Sequence, residues 1–193
     1  MKINYDYLLD IFISSIIPDT FKNVEKGNKI FGGAILNKDD LSLLTIGLNN
    51  EIKNPLLHGE ICTINNFFDL NNNLDPKKYI FITTHEPCSL CLSAITWAGF
   101  NNFYYFFPYS DTKDKFSIPH DLNIMSQVFK IKHGKYNDHN SYWQSFSIIN
   151  EIQKLPIKNK EKLQFKINKI YKEYEILSSK YQQNKNLNKI PLN

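Results

Sequence analysis

The order of apolar patterns along this sequence predicts an α/β fold, a mixed β-sheet with helices on both faces, and three observations carry the prediction. Segments of helical period alternate with short strand-like runs in the order α-β-β-α-β-α-β. The runs 79–83 and 103–107 are apolar on both faces, which suits central strands covered on both sides. A chain of 193 residues, 42% hydrophobic and 14% aromatic, can supply one such domain and an appendage and is short for two. The domain is expected at residues 1–155 and a lysine-rich helical extension at 156–193.

Tyr7, Leu8, Ile11, Phe12 and Ile16 recur at helical spacing and Pro18-Asp19 supplies a stop, so residues 4–17 read as an amphipathic helix. Ile30 to Leu36 has a strand's length, Asn37-Lys38-Asp39-Asp40 has the composition of a hairpin loop, and residues 41–47 form the partner strand. Gly32 and Gly33 permit close approach of a ligand or helix, or mark a bulge. A helix follows from His58 to about Phe68 and stops at the asparagine run 71–73. After the strand 79–83, Pro87 takes the first position of a helix that runs to Ala98 and ends at Gly99; the strand 103–107 comes next. Residues 122–129 and 140–152 read as helices. Beyond Pro156, Leu163, Ile167, Ile170, Tyr174 and Leu177 form an apolar stripe on a lysine-rich helix, the pattern of a face packed on the same domain or on a twin subunit.

Charge is uneven along the chain. The net formal charge is +4, but residues 151–193 hold ten lysines and four glutamates, a balance of +6 that leaves −2 for residues 1–150. A basic extension can touch RNA, although a solvated helix face accounts for it more simply. There is no arginine, so phosphate recognition would fall to lysine or backbone N–H groups. Three cysteines, two of them in C-x-x-C, argue for a reducing compartment and for metal or redox use instead of disulfides. No secretory signal is read at the start, and no run approaches the roughly 20 apolar residues of a membrane span. A soluble, cytoplasmic protein with no membrane partner is expected.

Two short stretches carry the chemistry. His58-Gly59-Glu60 opens one helix, and Pro87-Cys88-Ser89-Leu90-Cys91 opens the next. One imidazole and two thiolates can hold a tetrahedral zinc and leave its fourth position to water. C-x-x-C alone also marks redox dithiols and zinc ribbons; no second C-x-x-C is present, and His58 shifts the balance to metal. Cys62, one turn after His58, offers an alternative closed site with four ligands, or is a small helix residue. Glu60, beside the metal-bound water, is placed to move protons.

These stretches, together with Phe31-Gly32-Gly33-Ala34-Ile35, Gly47-Leu48-Asn49 and the helix segment Leu92-Ser93-Ala94-Ile95-Thr96-Trp97-Ala98, resemble the cytidine deaminase-like superfamily over residues 5–130. H-x-E followed by P-C-x-x-C is the general signature of zinc deaminases of nucleobases. The similarity is greatest to the branch holding guanine deaminase, fungal-type cytosine deaminase and the tRNA adenosine deaminases. It implies a three-layer α-β-α fold with a mixed five-stranded sheet, a homodimer or higher oligomer, and one zinc on His58, Cys88 and Cys91. It further implies that Asn49 hydrogen-bonds the base, that the Glu86 carbonyl receives the amino group, and that the Cys88 N–H supports the oxygen. The expected activity is hydrolytic deamination of a free nucleobase or nucleoside, guanine- or cytosine-type, with Glu60 as proton shuttle. A tRNA adenosine deaminase using the basic extension and a zinc-stabilised scaffold without activity are the alternatives. Asp111, Asp121 and Trp143 are nominated to read or cover a base, each with a structural reading beside it.

Overall fold

A computed structural model describes residues 3–70 and 73–193. It opens with a single helical rod in three pieces: α1 (Tyr5–Ile11), a π-helical turn (Phe12–Ile16) and α2 (Ile17–Glu25). Asn4 caps the rod, its side chain accepting from the Tyr7 N–H at 3.2 Å. The expected stop at Pro18 is corrected. In a regular helix the proline ring would crowd the carbonyl four residues back. Here the turn before it is widened, with the Ile17 N–H bonded to the Phe12 carbonyl, and the helix runs on past the proline.

The sheet consists of β1 (Gly32–Asn37), β2 (Leu43–Leu48), β3 (Tyr79–His85), β4 (Asn102–Phe107) and β5 (Gln144–Ser147) in the order β2-β1-β3-β4-β5. β1 pairs antiparallel with both β2 and β3, while β3, β4 and β5 run parallel, so the sheet is mixed, as expected. The fifth strand lies where the sequence predicts part of a helix over 140–152. That segment is instead β5 followed by α7 (Ile148–Gln153), with the Ser147 side chain accepting from the Asn150 N–H at the junction. Pairing with β4 decides the matter: Phe146 stacks on Tyr104 with ring centroids 4.7 Å apart, a contact that a short local pattern does not reveal.

Helices cover both faces, giving three layers. α1, α2, α7 and α8 (Ile157–Asn184) pack on the face formed by Ala34, Leu36, Ile80, Ile82 and Phe106. The alternate residues Ile35, Phe81 and Phe103 face α3 (Gly59–Leu70) and α4 (Ser89–Trp97). The predicted end of α3 at the asparagine run lies partly at residues 71 and 72, outside the described residues. At the head of α4, Cys88 is the N-cap and Pro87 precedes it, two positions before the first helical residue, Ser89, whereas the sequence predicts the proline at that first position. Gly99, at φ +84°, ends that helix in the left-handed conformation. Two short helices, α5 (Tyr109–Asp114) and α6 (His120–Gln127), make the crossover from β4 to β5.

The apolar stripe of the extension packs on its own domain: Leu163, Ile167, Ile170, Tyr174 and Leu177 are buried in the same core as α1 and α2. Lys166 pairs with Asp6 and Asp10 at 2.5 and 2.8 Å, and Lys180 with Glu25 at 2.6 Å.

α3 lies unusually close to the hairpin, because a Cβ added to Gly47 would fall 2.2 Å from the Thr63 backbone nitrogen. Neither backbone can yield without moving the helix that carries the motif at its head. Gly47→Ala is therefore expected to cost about 3 kcal/mol, the upper range for overpacking, read as a lower thermal midpoint. A midpoint equal to that of the unmutated protein would show that the approach is looser than the structure has it.

Candidate active site

The strand β3 ends at His85, and the chain turns through Glu86 and Pro87 into α4. Cys88 stands at the N-cap in extended conformation and Cys91 in the first turn, so both sulfurs lie where the helix leaves N–H groups unpaired. His58 precedes α3 and accepts its first-turn bond, from the Cys62 N–H at 2.9 Å. Gly59 lets this helix head approach β1, since a Cβ there would meet the Gly32 Cα at 2.6 Å. The result is a triangle: the His58 Nδ1 is 3.4 Å from the Cys88 Sγ and 3.6 Å from the Cys91 Sγ, and the two sulfurs are 3.6 Å apart.

A tetrahedral zinc with ordinary Zn–S and Zn–N bonds needs edges of roughly 3.6 Å between nitrogen and sulfur and about 3.8 Å between sulfurs. The donor set matches in chemistry and in spacing. His58, Cys88 and Cys91 are positioned to bind a metal ion. Cys62 is not part of the cluster; its Sγ lies 3.7 Å from the Leu57 carbonyl, which removes the closed four-ligand alternative.

The charge balance of the cluster favours a cation. Burial opposes protonation of His58, but the Cys88 sulfur, Glu60 and Glu51 outweigh it and push the imidazole up to about 9. Hydrogen bonding from Cys91 and the nearby His58 holds the Cys88 thiol well below its ordinary range. Cys91 moves the other way, raised by burial and by Cys88. Glu60 is 5% exposed, its Oε2 is 3.2 Å from the Cys91 Sγ, and burial together with Cys88 pushes its carboxyl up to about 7.

A pocket of about 530 Å³ opens on this cluster, within the range of small-ligand sites. His58, Cys88, Lys29, Glu51 and Asp121 line its polar part, and Leu56, Phe129 and Ile190 are among its apolar walls. Burial, with Cys88 next, raises the Asp121 carboxyl well above the usual range. The other two nominees lie elsewhere. Trp143 is buried beneath α4, its indole N–H bonded to the Thr96 hydroxyl at 2.8 Å, and Asp111 accepts from the Tyr171 hydroxyl and pairs with Lys115. Asn49 is 1% exposed; its side chain accepts from the Gly59 N–H and donates to Glu51 at 2.7 Å. Sequence reasoning did not single out Lys29 or Glu51, which form an ion pair of 2.8 Å with side chains only 6% and 2% exposed.

Residues 15–107 match the family model described as the cytidine and deoxycytidylate deaminase zinc-binding region. This chain carries that deaminase region. Solved structures with the same fold include a variant of NE0047 in complex with 8-azaguanine, at 12% identity and TM-score 0.57, covering 90% of this chain and 85% of that one. The guanine deaminase of Bacillus subtilis aligns at 21% identity and TM-score 0.55 over 72% of this chain and 87% of its own. A tRNA deaminase acting at the wobble position aligns at 18% identity and TM-score 0.50, over 70% and 95%. No curated protein matches this sequence. No helix among the described residues is long and apolar enough to cross a membrane.

The deaminase domain is expected to be isolated with about one zinc per chain, and Cys91→Ser to lose it, since three donors cannot spare one. Elemental analysis of desalted protein measures this; full zinc in the serine variant would place the metal elsewhere. Ligation needs a neutral imidazole and thiolates, whereas without metal His58 and Cys91 hold their protons. Binding thus releases protons, and zinc affinity should rise with pH between about 6 and 8, as read by chelator competition.

Proposed function

We propose that this zinc-dependent deaminase acts on a free nucleobase or nucleoside, with guanine the first candidate and cytosine the second. The observation that carries the reading is Glu60, a buried carboxyl with a raised proton affinity, against a three-donor metal cluster that opens on a pocket of base size. His58, Cys88 and Cys91 would hold the zinc, which would supply the Lewis acidity that lowers the pKa of water towards about 7.

The protein's own groups then do the following. Water adds its oxygen to the amino-bearing ring carbon, the C–N bond breaks, and ammonia leaves. The Glu60 carboxylate accepts a proton from the attacking water and passes it to the neighbouring ring nitrogen, then takes the remaining proton from the new hydroxyl and delivers it to the departing amine, which leaves a ring carbonyl and ammonia. A side chain that titrates near neutrality suits both directions of transfer. Asp121, facing the pocket, supplies an acceptor for ring or exocyclic N–H groups, which favours guanine. Asn49 is the other candidate for contact with the base, at the head of the same loop as Glu51. A phosphate on the substrate finds little support: among the described residues the one lysine lining the pocket, Lys29, is paired with Glu51.

We extend the reading to a cytoplasmic homodimer. Its support is the apolar surface on the helices around the metal, above all Trp97 of α4, 91% exposed, and the three free cysteines, which fit a reducing compartment. Sedimentation of the purified protein reads the assembly, with Trp97→Lys expected to shift it towards monomer, and cell fractionation reads the compartment.

Ammonia release from zinc-loaded protein, offered guanine, cytosine, adenine, their nucleosides and a tRNA anticodon stem, tests the substrate. Guanine is expected to react fastest. Turnover confined to the tRNA would replace this reading with RNA deamination, and no ammonia from any substrate would leave a scaffold. Glu60→Gln should lower kcat by roughly 10²–10⁴-fold with zinc content unchanged.

A further inference from the structure

The loop between β2 and α3 carries Glu51, which forms with Lys29 a buried ion pair to which the deaminase chemistry assigns no direct step. Both carboxylate oxygens of Glu51 are engaged. Oε1 accepts from the Lys29 ammonium at 2.8 Å, and Oε2 accepts from the Asn49 amide at 2.7 Å. The Asn49 side-chain oxygen in turn accepts from the Gly59 N–H, the peptide that joins His58 to α3. The loop is held to the same place by its backbone, because the Ile52 N–H donates to Asn28 at 3.0 Å. All three side chains are buried.

The same carboxylate faces the far side of the histidine ring. The His58 Nδ1 points at the two sulfurs, while its Nε2 lies 3.8 Å from the Glu51 Oε1. That separation is too long for a hydrogen bond, but a buried negative charge at this range draws the ring proton to Nε2 and frees the Nδ1 lone pair for the metal. A carboxylate behind a metal-bound histidine acts on both the orientation of the ring and its donor strength. A buried ion pair is a poor device for stability alone, because two charges must leave water to make it.

We propose that Glu51, kept paired by Lys29, is a positioning residue for the metal centre. It sets the His58 ring through its charge on Nε2, and it fixes the His58–Gly59 peptide through Asn49. This rests on the reading of His58, Cys88 and Cys91 as the zinc ligands. Glutamine cannot replace Glu51, since its amide N–H₂ would meet either the ammonium or the Asn49 amide, both of them donors.

The test uses the full chain with Glu51→Gln and with the double variant Lys29→Met/Glu51→Gln, which leaves no buried charge unpaired should the single variant fold poorly. Zinc affinity, measured against a chromophoric chelator at fixed pH, should fall by about 10- to 100-fold in both. The ligand-field bands of the cobalt-substituted protein should shift in both, because the imidazole becomes a weaker donor. Zinc affinity within twofold of the unmutated protein, or weaker affinity with cobalt bands unmoved, would overturn the proposal. An unmutated protein that binds no zinc at all would instead sink the reading of the three ligands.

Discussion

Gly59 stands so close to Gly32 that neither backbone leaves room for a side chain between them, and the metal centre depends on that contact. His58 is fixed in space by where α3 begins, while the cysteines are fixed by where β3 ends and α4 begins. Two helix heads from separate parts of the chain must therefore be brought to one point within tenths of an ångström. Antiparallel pairing of β1 with β3 sets the distance between the elements, with Gly33 opposite Thr83. Gly47 and Gly59 then let α3 settle onto the sheet until the imidazole meets the sulfurs. The Thr84 hydroxyl accepts from the Gly32 N–H at 3.0 Å and donates to the Gly32 carbonyl at 3.1 Å, which locks the strands beside this contact.

The parts of this arrangement that were legible in the sequence are those whose chemistry is local. The residues positioned for a metal were legible because a histidine two residues from a glutamate, and two cysteines three apart after a proline, each lie within one turn at a helix head. The strands β3 and β4 were legible because burial on both faces leaves an unbroken apolar run. Other features depend on partners distant in sequence. β5 has a pattern that a helix also satisfies, and only its neighbour β4 decides between them. Trp143, an aromatic in a polar stretch, reads like a cover for a flat ring, yet its indole finds Thr96 under α4 and the ring packs 5.0 Å from Phe103. Lys29 and Glu51 each look like ordinary solvated charges, and nothing local marks them as partners 22 residues apart. The signal that was available is that Glu51 lies two residues past Asn49 in the loop leading to His58.

Three acidic side chains around the metal cluster, Glu51, Glu60 and Asp121, meet different partners. Glu51 has its two donors and stays an acceptor of fixed geometry. Glu60 faces the Cys91 sulfur; burial and Cys88 raise its proton affinity, and the His58 imidazole across the cluster opposes this. Asp121 stands in the same field and is raised for the same two reasons. Glu51 is thus held by two donors, whereas burial and Cys88 raise the proton affinity of Glu60 and Asp121.

The extension bears on the choice between a small base and RNA. Its helix α8 lies with α1 and α2 on the face of the sheet opposite to α3 and α4, whose heads carry the His58, Cys88 and Cys91 cluster. Two of its lysines are already engaged, Lys166 with Asp6 and Asp10 and Lys180 with Glu25, so part of its charge is spent in fastening it to the domain. A polyanion gripped by the remaining lysines of α8 would lie across the sheet from the metal cluster; of the extension's lysines, Lys189, beyond α8 and next to Ile190, stands near the pocket wall. What the extension does bring to the pocket is apolar: Ile190, Pro191 and Leu192 join its walls, opposite in character to a phosphate-binding rim. An apolar enclosure with a lysine already neutralised suits a flat, uncharged ring, and it does so without any contribution from the basic helix.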